Sequence, residues 1–187
     1  PTQLSMETNL TNPAAANSTP AASPVKNLAV KIIGIGRAGA NIVEEWTRSG
    51  LEGAAFAVLS ADQAALANSS AAVKIYLELG LSNGLGAGGG DRGRKRPESI
   101  LPKLKTLCGD VQVALIIAGL GGRTGTEICL AAVKAAKDAG AFTLAFVTLP
   151  FDCEGRLRQQ NAEEGLKQLC AAADGVFCLP NQKTVPL

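Results

Sequence analysis

The sequence contains no histidine, and this absence excludes two kinds of site. Zinc centres with imidazole ligands and reactions that depend on a histidine general base are both ruled out. The five cysteines are odd in number and include no C-x-x-C pair. We therefore expect Cys108, Cys129, Cys153, Cys170 and Cys178 to be buried, reduced thiols of a cytosolic protein.

Long apolar segments and a strong net charge are also missing. No apolar stretch approaches the roughly 20 residues of a membrane-spanning helix, and the N-terminus lacks a signal-peptide core, so direct membrane insertion is not expected. A net charge of +2 gives no strong case for nucleic-acid binding. The basic segment at 91–99 lacks interleaved aromatic residues for base stacking, which favours a solvated helix start beside a phosphate site.

The composition changes at residue 28. Residues 1–27 are small, polar and proline-containing, and such a segment cannot bury enough apolar surface to offset its ordering entropy. We predict a disordered, low-complexity tail at 1–27. Residues 28–187 are long enough for one well-packed domain.

Within that domain, apolar segments alternate with helical patterns. Strands are predicted at 28–35, 54–60, 73–79, 111–120, 142–149 and 175–179, and several are apolar on both faces, as in a buried parallel sheet. Helices are predicted at 38–49, 125–139 and 153–172. This alternation predicts a doubly wound α/β fold whose ligands bind at the carboxyl ends of the strands.

The first strand runs into the glycine turn "GIGRAGAN" at 34–41. Its G-x-G-x-x-G spacing matches the dinucleotide fingerprint: Gly34 allows the tight turn, Gly36 lets backbone approach an anion, and Gly39 lets the helix pack on the strand. An NAD(P)-linked enzyme would also need an acidic residue after the second strand to hold the ribose. Asp62 is a candidate, so this alternative stays open.

Two further glycine loops favour a different nucleotide. "NGLGAGGG" at 83–90 follows the third strand, and "GLGGRTGTE" at 119–127 follows the fourth. The second of these combines glycines, two threonines and a helix start, which together suit a phosphate group. Three such loops suit a free triphosphate better than a bridged pyrophosphate. No P-loop motif is present.

Six blocks of the chain, in order, carry a resemblance to the FtsZ branch of the FtsZ/tubulin superfamily. They are "GIGRAGAN", "ADQAAL", "GLGAGG", "AGLGGRTGT", "VTLPFDCEGRLRQQNAEEG" and "LPN", spread from about 31 to 181. The resemblance implies a three-layer, doubly wound, mostly parallel six-stranded sheet of the tubulin/FtsZ GTPase type. It also implies GTP or GDP bound with Mg²⁺, head-to-tail polymerisation, and a role in cell division at the division site of the bacterial cytoplasm.

The same resemblance implies the nucleotide contacts, residue by residue. Residues 36–39 would line the phosphates, 87–89 would lie by the γ-phosphate, and 121–126 would cradle the α- and β-phosphates. Glu154 would hold the ribose and Arg158 would lie near sugar and phosphates, while Asn41 and Asn181 would contact guanine. The full predicted set is Gly34, Gly36, Arg37, Ala38, Gly39, Ala40, Asn41, Ala87, Gly88, Gly89, Gly121, Gly122, Arg123, Thr124, Gly125, Thr126, Glu154, Arg158 and Asn181.

Simpler interpretations of these side chains remain open. Glu154 and Arg158 are spaced i, i+4 and could form only a helix-surface ion pair. Asn41 could finish a turn and Asn181 could cap one. The chain also departs from the family pattern, most clearly at Arg123 and Glu127 in the 119–127 loop. A side chain at Arg123 would either contact phosphate or obstruct the backbone approach.

The chain ends before the central helix, the catalytic loop and the C-terminal domain of the family. We therefore expect no catalytic residue and no protein metal ligand in it, and we expect nucleotide binding with little hydrolysis. Self-association would use the nucleotide face against a full-length subunit, and uncovered apolar surface is expected on one side of the sheet. The alternatives are an NAD(P)-binding Rossmann domain and a non-catalytic scaffold of the FtsZ fold.

Overall fold

The computed structural model describes residues 28–78, 100–122 and 124–184, and the predicted tail at 1–27 lies outside them. Six strands appear where the sequence predicts them, with slightly different bounds. They are β1 (Val30–Ile35), β2 (Ala54–Ser60), β3 (Val73–Tyr76), β4 (Val113–Gly119), β5 (Phe142–Leu149) and β6 (Gly175–Pro180).

The strands form one sheet in the order β3-β2-β1-β4-β5-β6. All five pairings are parallel, so the predicted doubly wound architecture is confirmed, and the described sheet is parallel throughout. In β1, Ile35 lies level with Leu59 of β2 and Ala118 of β4. Because the strands are parallel, their carboxyl ends lie along one edge, which we call the carboxyl edge.

Helices connect the strands. They are α1 (Gly36–Arg48), α2 (Gln63–Ala67), α3 (Leu101–Cys108), α4 (Cys129–Asp138) and α5 (Arg156–Ala172). A π-helical turn at Thr124–Ile128 leads into α4, and short 3₁₀ turns at Asp152–Glu154 and Asn181–Thr184 precede α5 and follow β6. The predicted helices correspond to α1, α4 with its π turn, and α5; α2 and α3 were not predicted.

The helices cover both faces of the sheet. On the first face, α1 packs across β1, β2 and β4 with Val43 fully buried and Ile42 and Trp46 partly buried, as their spacing predicts. On the second face, α3, α4 and α5 pack side by side. The α4 layer is rich in alanine, and Ala132 and Ala136 are fully buried there. Small side chains let this layer lie close to the sheet.

Part of the first face is uncovered over β5 and β6. Alternate residues of a strand share a face, and Phe142 and Phe146 of β5 are 54% and 38% exposed there. Phe177 of β6 stacks on Phe146 with ring centroids 4.5 Å apart, and Leu179 is 56% exposed. We call these four residues the aromatic patch. Apolar surface on one side of the sheet was expected from the sequence.

The cysteines depart from the expectation of uniform burial. Cys108 and Cys129 are buried, but Cys153, Cys170 and Cys178 are exposed, and all five are free thiols. Burial raises the pKa of Cys129 to about 12, so that thiol stays protonated and unreactive at neutral pH. The composition predicted free thiols correctly but not their exposure, because Cys170 and Cys178 lie towards the β6 edge of the sheet.

Across the described ranges, no helix combines the length and the hydropathy that a bilayer crossing needs.

Candidate functional site

The strand order reverses between β1 and β4. The candidate site lies at this reversal. From the carboxyl end of β1 the chain enters α1 on one face of the sheet, and from the end of β4 it enters the π turn and α4 on the other. The two exits diverge and leave a crevice at the carboxyl edge. Doubly wound sheets bind their ligands in such a crevice.

The first glycine turn forms one wall of the crevice. Gly36 has φ of 69°, a left-handed conformation that favours glycine. A Cβ on Gly39 would overlap the carbonyl oxygen of Ile117 in β4, and one on Gly34 would overlap the backbone of Gly39. The start of α1 therefore lies directly on β1 and β4, as the glycine spacing predicts.

The start of α1 offers backbone donors to this crevice. Its N-cap residue, Ile35, supplies no side-chain hydrogen bond, and the first turn holds no acidic residue. The first N–H groups of a helix have no partner within the helix, and together with the dipole they favour an anion. The geometry thus fits a phosphate group at the first glycine turn.

The described residues of the second glycine turn, 119–122 and 124–126, form the opposite wall. Gly125 packs so closely on the carbonyl of Gly119 that any side chain there would overlap it. The Thr126 hydroxyl accepts a hydrogen bond from the Gly121 amide at 3.0 Å, and the Thr126 amide donates to the Gly122 carbonyl at 3.0 Å. Beside Gly122 the space is open. The turn is therefore a preformed backbone cradle with room next to it.

The two walls touch. The methyl group of Ala38 in α1 lies 3.2 Å from the position that a Cβ on Gly119 would take. On its other side the second turn meets α5, because a Cβ on Gly121 would lie 2.7 Å from the Arg158 carbonyl oxygen. The first turn, the second turn and the start of α5 thus form one continuous surface.

Glu154 and Arg158 are joined by the i, i+4 ion pair that their spacing allows. Glu154 also accepts a hydrogen bond from the Phe151 amide at 2.8 Å. These two contacts, the amide first and Arg158 second, lower the pKa of Glu154. The Arg158 backbone lies beside the second turn, and the ion pair itself is the helix-surface pair that the spacing predicts.

Asp62 is engaged within the protein. One of its carboxylate oxygens accepts from the amides of Ala64 and Ala65 and caps α2, while the other accepts from Arg37 at 3.1 Å. These contacts lower the pKa of Asp62, with the Ala65 amide as the largest cause. The Arg37 side chain is 79% exposed and is joined to Asp62, which follows β2.

The remaining predicted residues lie on α1, after β6 and at the start of the π turn. Asn41 is exposed in the second turn of α1, and Ala40 is buried in the core beneath it. Asn181 directly follows β6. The backbone of Thr124 begins the π turn. Four predicted residues, Ala87, Gly88, Gly89 and Arg123, lie outside the described part of the chain.

One contact at the site was not predicted. Gly165 in α5 lies against the side chain of Thr126, so that a Cβ there would overlap the Thr126 methyl group. A glycine inside an amphipathic helical pattern is a signal of close packing, and "EEGLK" at 163–167 carried that signal. In the described ranges, no group of three or more acidic or cysteine side chains is placed to hold a metal ion.

Comparison with known proteins identifies the family. The model of the Tubulin/FtsZ family GTPase domain matches residues 29–186. The chain belongs to this family. It is thus an FtsZ/tubulin-type GTPase domain, homologous to the FtsZ cell-division proteins, and the resemblance in the sequence is confirmed.

Relatives and solved structures agree. The chain is 38% identical to the cell division protein FtsZ of Mycoplasmopsis pulmonis over 155 residues, covering 82% of this chain and 40% of that protein. It is also 38% identical to the FtsZ of Helicobacter pylori over 160 residues, covering 84% of this chain and 42% of that protein. The structure of an empty FtsZ dimer from M. jannaschii superposes with a TM-score of 0.73 at 34% identity, covering 86% of this chain and 49% of that one. The chain therefore spans less than half the length of these relatives.

Proposed function

We propose that this chain is the guanine-nucleotide-binding domain of an FtsZ-like cytoskeletal GTPase, and that it binds GTP and GDP at the carboxyl edge. The observation that carries the proposal is the contact between the two glycine turns through Ala38 and Gly119. Two backbone cradles that meet at a strand-order reversal offer a polyphosphate two sets of amides at once. Family membership supplies the class of nucleotide.

In this proposal the first N–H groups of α1 and the open side of the second turn at Gly122 hold the phosphates. The Gly121 and Thr126 amides keep the hydrogen bonds that shape the turn. Glu154 exchanges its Phe151 contact or its Arg158 contact for the ribose hydroxyls, and Arg158 then turns towards the sugar and phosphates. The residues at 87–89 complete the γ-phosphate site, and Arg123 adds a charge-assisted contact. Mg²⁺ would neutralise phosphate charge; it would be held by the nucleotide, and no residue of this chain is assigned to it.

Guanine specificity is assigned to Asn41 and Asn181. Amide groups can both donate to and accept from the guanine edge. With adenine these partners would be mismatched, and each lost hydrogen bond costs about 1–3 kcal/mol. We therefore expect adenine nucleotides to bind at least about tenfold more weakly.

Calorimetric titration with GDP, GTP, ADP, ATP and NAD tests both parts of the proposal. Asn41→Ala should weaken GDP binding about tenfold, since it removes one base contact of about 1.4 kcal/mol. Glu45→Ala, one turn further along α1 and also exposed, is the matched control and should bind GDP like the parent chain. Equal affinity for GDP and ADP, or equal effects of the two variants, would contradict the specificity assignment.

The 187-residue polypeptide by itself should hydrolyse little GTP. Two acidic groups at the carboxyl edge, Asp62 and Glu154, are held by amides and by arginines, so neither is poised to activate a water. Phosphate release that rises in proportion to the protein concentration and disappears in Glu154→Ala would overturn this part of the proposal.

For the assembled protein we propose head-to-tail polymers in which the nucleotide edge meets the next full-length subunit, at the division site of a bacterial cytoplasm. The support is homology to cell-division FtsZ proteins. Titration of the 187-residue chain into polymerising full-length FtsZ should shorten the filaments. If filament length and sedimentable mass are unchanged when the 187-residue chain and full-length FtsZ are present in equal amounts, the result would count against an interface at this edge.

Two other functions are less well supported. An NAD(P) enzyme would use Asp62 for the ribose, but that carboxylate caps α2 and pairs with Arg37. A scaffold without a ligand remains distinguishable from the proposed function by the same titration, because it would bind none of the five nucleotides.

A further inference from the structure

Two exposed cysteines lie on elements that pack against each other, away from the carboxyl-edge crevice. Cys170 is near the end of α5 and Cys178 is in the middle of β6. The helix α5 packs directly on β6, the edge strand of the described sheet. The nucleotide site proposed above uses neither thiol.

On the strand, the side-chain alternation directs Cys178 towards α5. Val176 packs against the core shared with α4 and α5. Phe177 points to the opposite face, where it stacks on Phe146. Residues two apart in a strand share a face, so Cys178 lies on the same side as Val176.

On the helix, Cys170 borders the side that packs on the sheet. Leu169 beside it is fully buried, and Leu166, one turn earlier, packs against the same core as Val176. Residues i and i+4 of a helix lie above one another on one face. Cys170 therefore continues the Leu166 stripe at its solvent-exposed border, on the helix that packs on β6.

The electrostatics agree with this placement. Partial burial raises the pKa of the Cys178 thiol, and the Cys170 thiol, as a neighbouring group of like charge, raises it further. This like-charge effect is in keeping with two thiols on elements that pack against each other.

We propose that Cys170 and Cys178 form a redox-active dithiol site that closes to an intramolecular disulfide on reaction with a small-molecule disulfide. In the first step, one cysteine thiolate attacks the oxidant's S–S bond, forms a mixed disulfide and releases one small thiolate. In the second, the other cysteine thiolate attacks the protein sulfur of that mixed disulfide and releases the second small thiolate. The two protein thiols lose two electrons and two protons, and the oxidant becomes two thiols.

The sequence offers a direct measurement, because one tryptic peptide, residues 168–183, carries both cysteines. The full chain is equilibrated under native conditions with mixtures of reduced and oxidised glutathione, blocked with an alkylating agent and digested. We expect this peptide to lose two hydrogens and to take up no label. Cys153, which is exposed but has no cysteine partner in the proposal, should carry a glutathione adduct instead.

A comparison with unfolded protein isolates the contribution of the fold. We compare the concentration of reduced glutathione at which half of the chains carry the disulfide. This concentration should be at least about tenfold higher for the native chain than in 8 M urea, because the fold holds the thiols together. An equal or lower value in the native chain would overturn the proposal. Two separate glutathione adducts on peptide 168–183 would also overturn it.

An arsenical provides a second readout that needs no oxidation. Phenylarsine oxide bridges two thiols and releases one water, so the native chain should retain one equivalent after washing with a monothiol. Cys153→Ser should retain the same amount, whereas Cys170→Ser and Cys178→Ser should each retain none. Retention that is unchanged in Cys170→Ser would show that the two thiols are not paired.

Discussion

At the scale of single residues, Gly39 shows how one missing side chain fixes the position of a helix. The residue sits between the Ile117 carbonyl and the backbone of Gly34, and a Cβ has no room there. The obstructing atoms belong to the backbone of two central strands, which cannot move aside as a flexible side chain could.

We predict that Gly39→Ala destabilises the domain by about 2 kcal/mol or more, because overpacking at such a site costs about 1–3 kcal/mol. Gly109→Ala is the matched control: its φ is −61° and a Cβ there would make an ordinary contact, 3.5 Å from the Lys105 carbonyl oxygen. The control should be neutral or slightly stabilising. Urea unfolding measures both variants, and equal stabilities would refute the packing argument.

Asp174 is a second residue whose contacts can be tested alone. Its carboxylate accepts from Lys137 Nζ at 2.7 Å and from the Thr143 amide at 2.8 Å, so it links the end of α4, the start of β5 and the turn before β6. The Lys137 bond and then the Thr143 bond lower the pKa of Asp174.

A lowered pKa means that the folded protein favours the ionised carboxylate. Its contribution to stability is therefore present above the unfolded carboxyl range, about pH 4, and is lost as the pH falls through the lowered folded value. We predict that Asp174→Asn is less stable than the parent chain at pH 7 and that the difference shrinks below about pH 4. Asp138→Asn, an exposed acid at the end of α4, should show a smaller difference at pH 7. A deficit for Asp174→Asn that stays constant down to pH 3 would contradict the assignment to charge.

At the scale of elements, α5 supports the second glycine turn from behind. Gly165 lets α5 approach Thr126, whose hydroxyl accepts from the Gly121 amide. A shift of α5 or a rotation of the Thr126 side chain would therefore disturb the hydrogen bond to the Gly121 amide and the backbone of the second turn. Gly165 itself need not contact a nucleotide for this effect. Π-helical turns such as the one at Thr124–Ile128 are frequent at functional sites.

We predict that Gly165→Ala weakens GDP binding about fivefold, the equivalent of about 1 kcal/mol for one disturbed hydrogen bond. The added methyl group has to displace the Thr126 side chain. Fluorescence titration with a labelled GDP measures the affinity, and Gly109→Ala, far from the cradle, should bind like the parent chain. If Gly165→Ala binds GDP normally while losing stability, the contact between α5 and the π turn serves packing alone.

At the scale of the whole molecule, the uneven covering of the sheet is the main feature. Helices cover the second face, but on the first face the aromatic patch over β5 and β6 is exposed. Contiguous exposed apolar patches of more than a few hundred Å² lead to association or aggregation.

We predict that the 187-residue chain self-associates through the aromatic patch. Sedimentation velocity over a range of concentrations should show dimers or small oligomers, and Phe177→Ser should shift the distribution towards monomer. Leu51→Ser is the matched control, because Leu51 is also exposed, at 47%, but lies in the turn after α1 and outside the patch. A chain that is monomeric at every concentration, or equal shifts for the two variants, would refute the prediction.

Much of this architecture was determined by the sequence itself. Strands that are apolar on both faces, such as "VALIIAG", indicate a parallel sheet buried on both sides, and the spacing of Gly34, Gly36 and Gly39 predicted a tight turn into a helix. These features follow from local geometry, which depends on residues close together in the chain. Helices α2 and α3 escaped prediction because five and eight residues carry too little periodicity to be recognised.

Contacts between distant residues were decided only by the tertiary structure. The pairing of Asp62 with Arg37, the approach of Gly165 to Thr126 and the exposure of Cys170 and Cys178 all depend on which elements become neighbours. The order β3-β2-β1-β4-β5-β6 sets those neighbours. It places β4 next to β1, although more than 70 residues lie between these two strands in the sequence. Local propensity carries no information on such a choice, because the free energy that favours it comes from burying the faces of the whole sheet together.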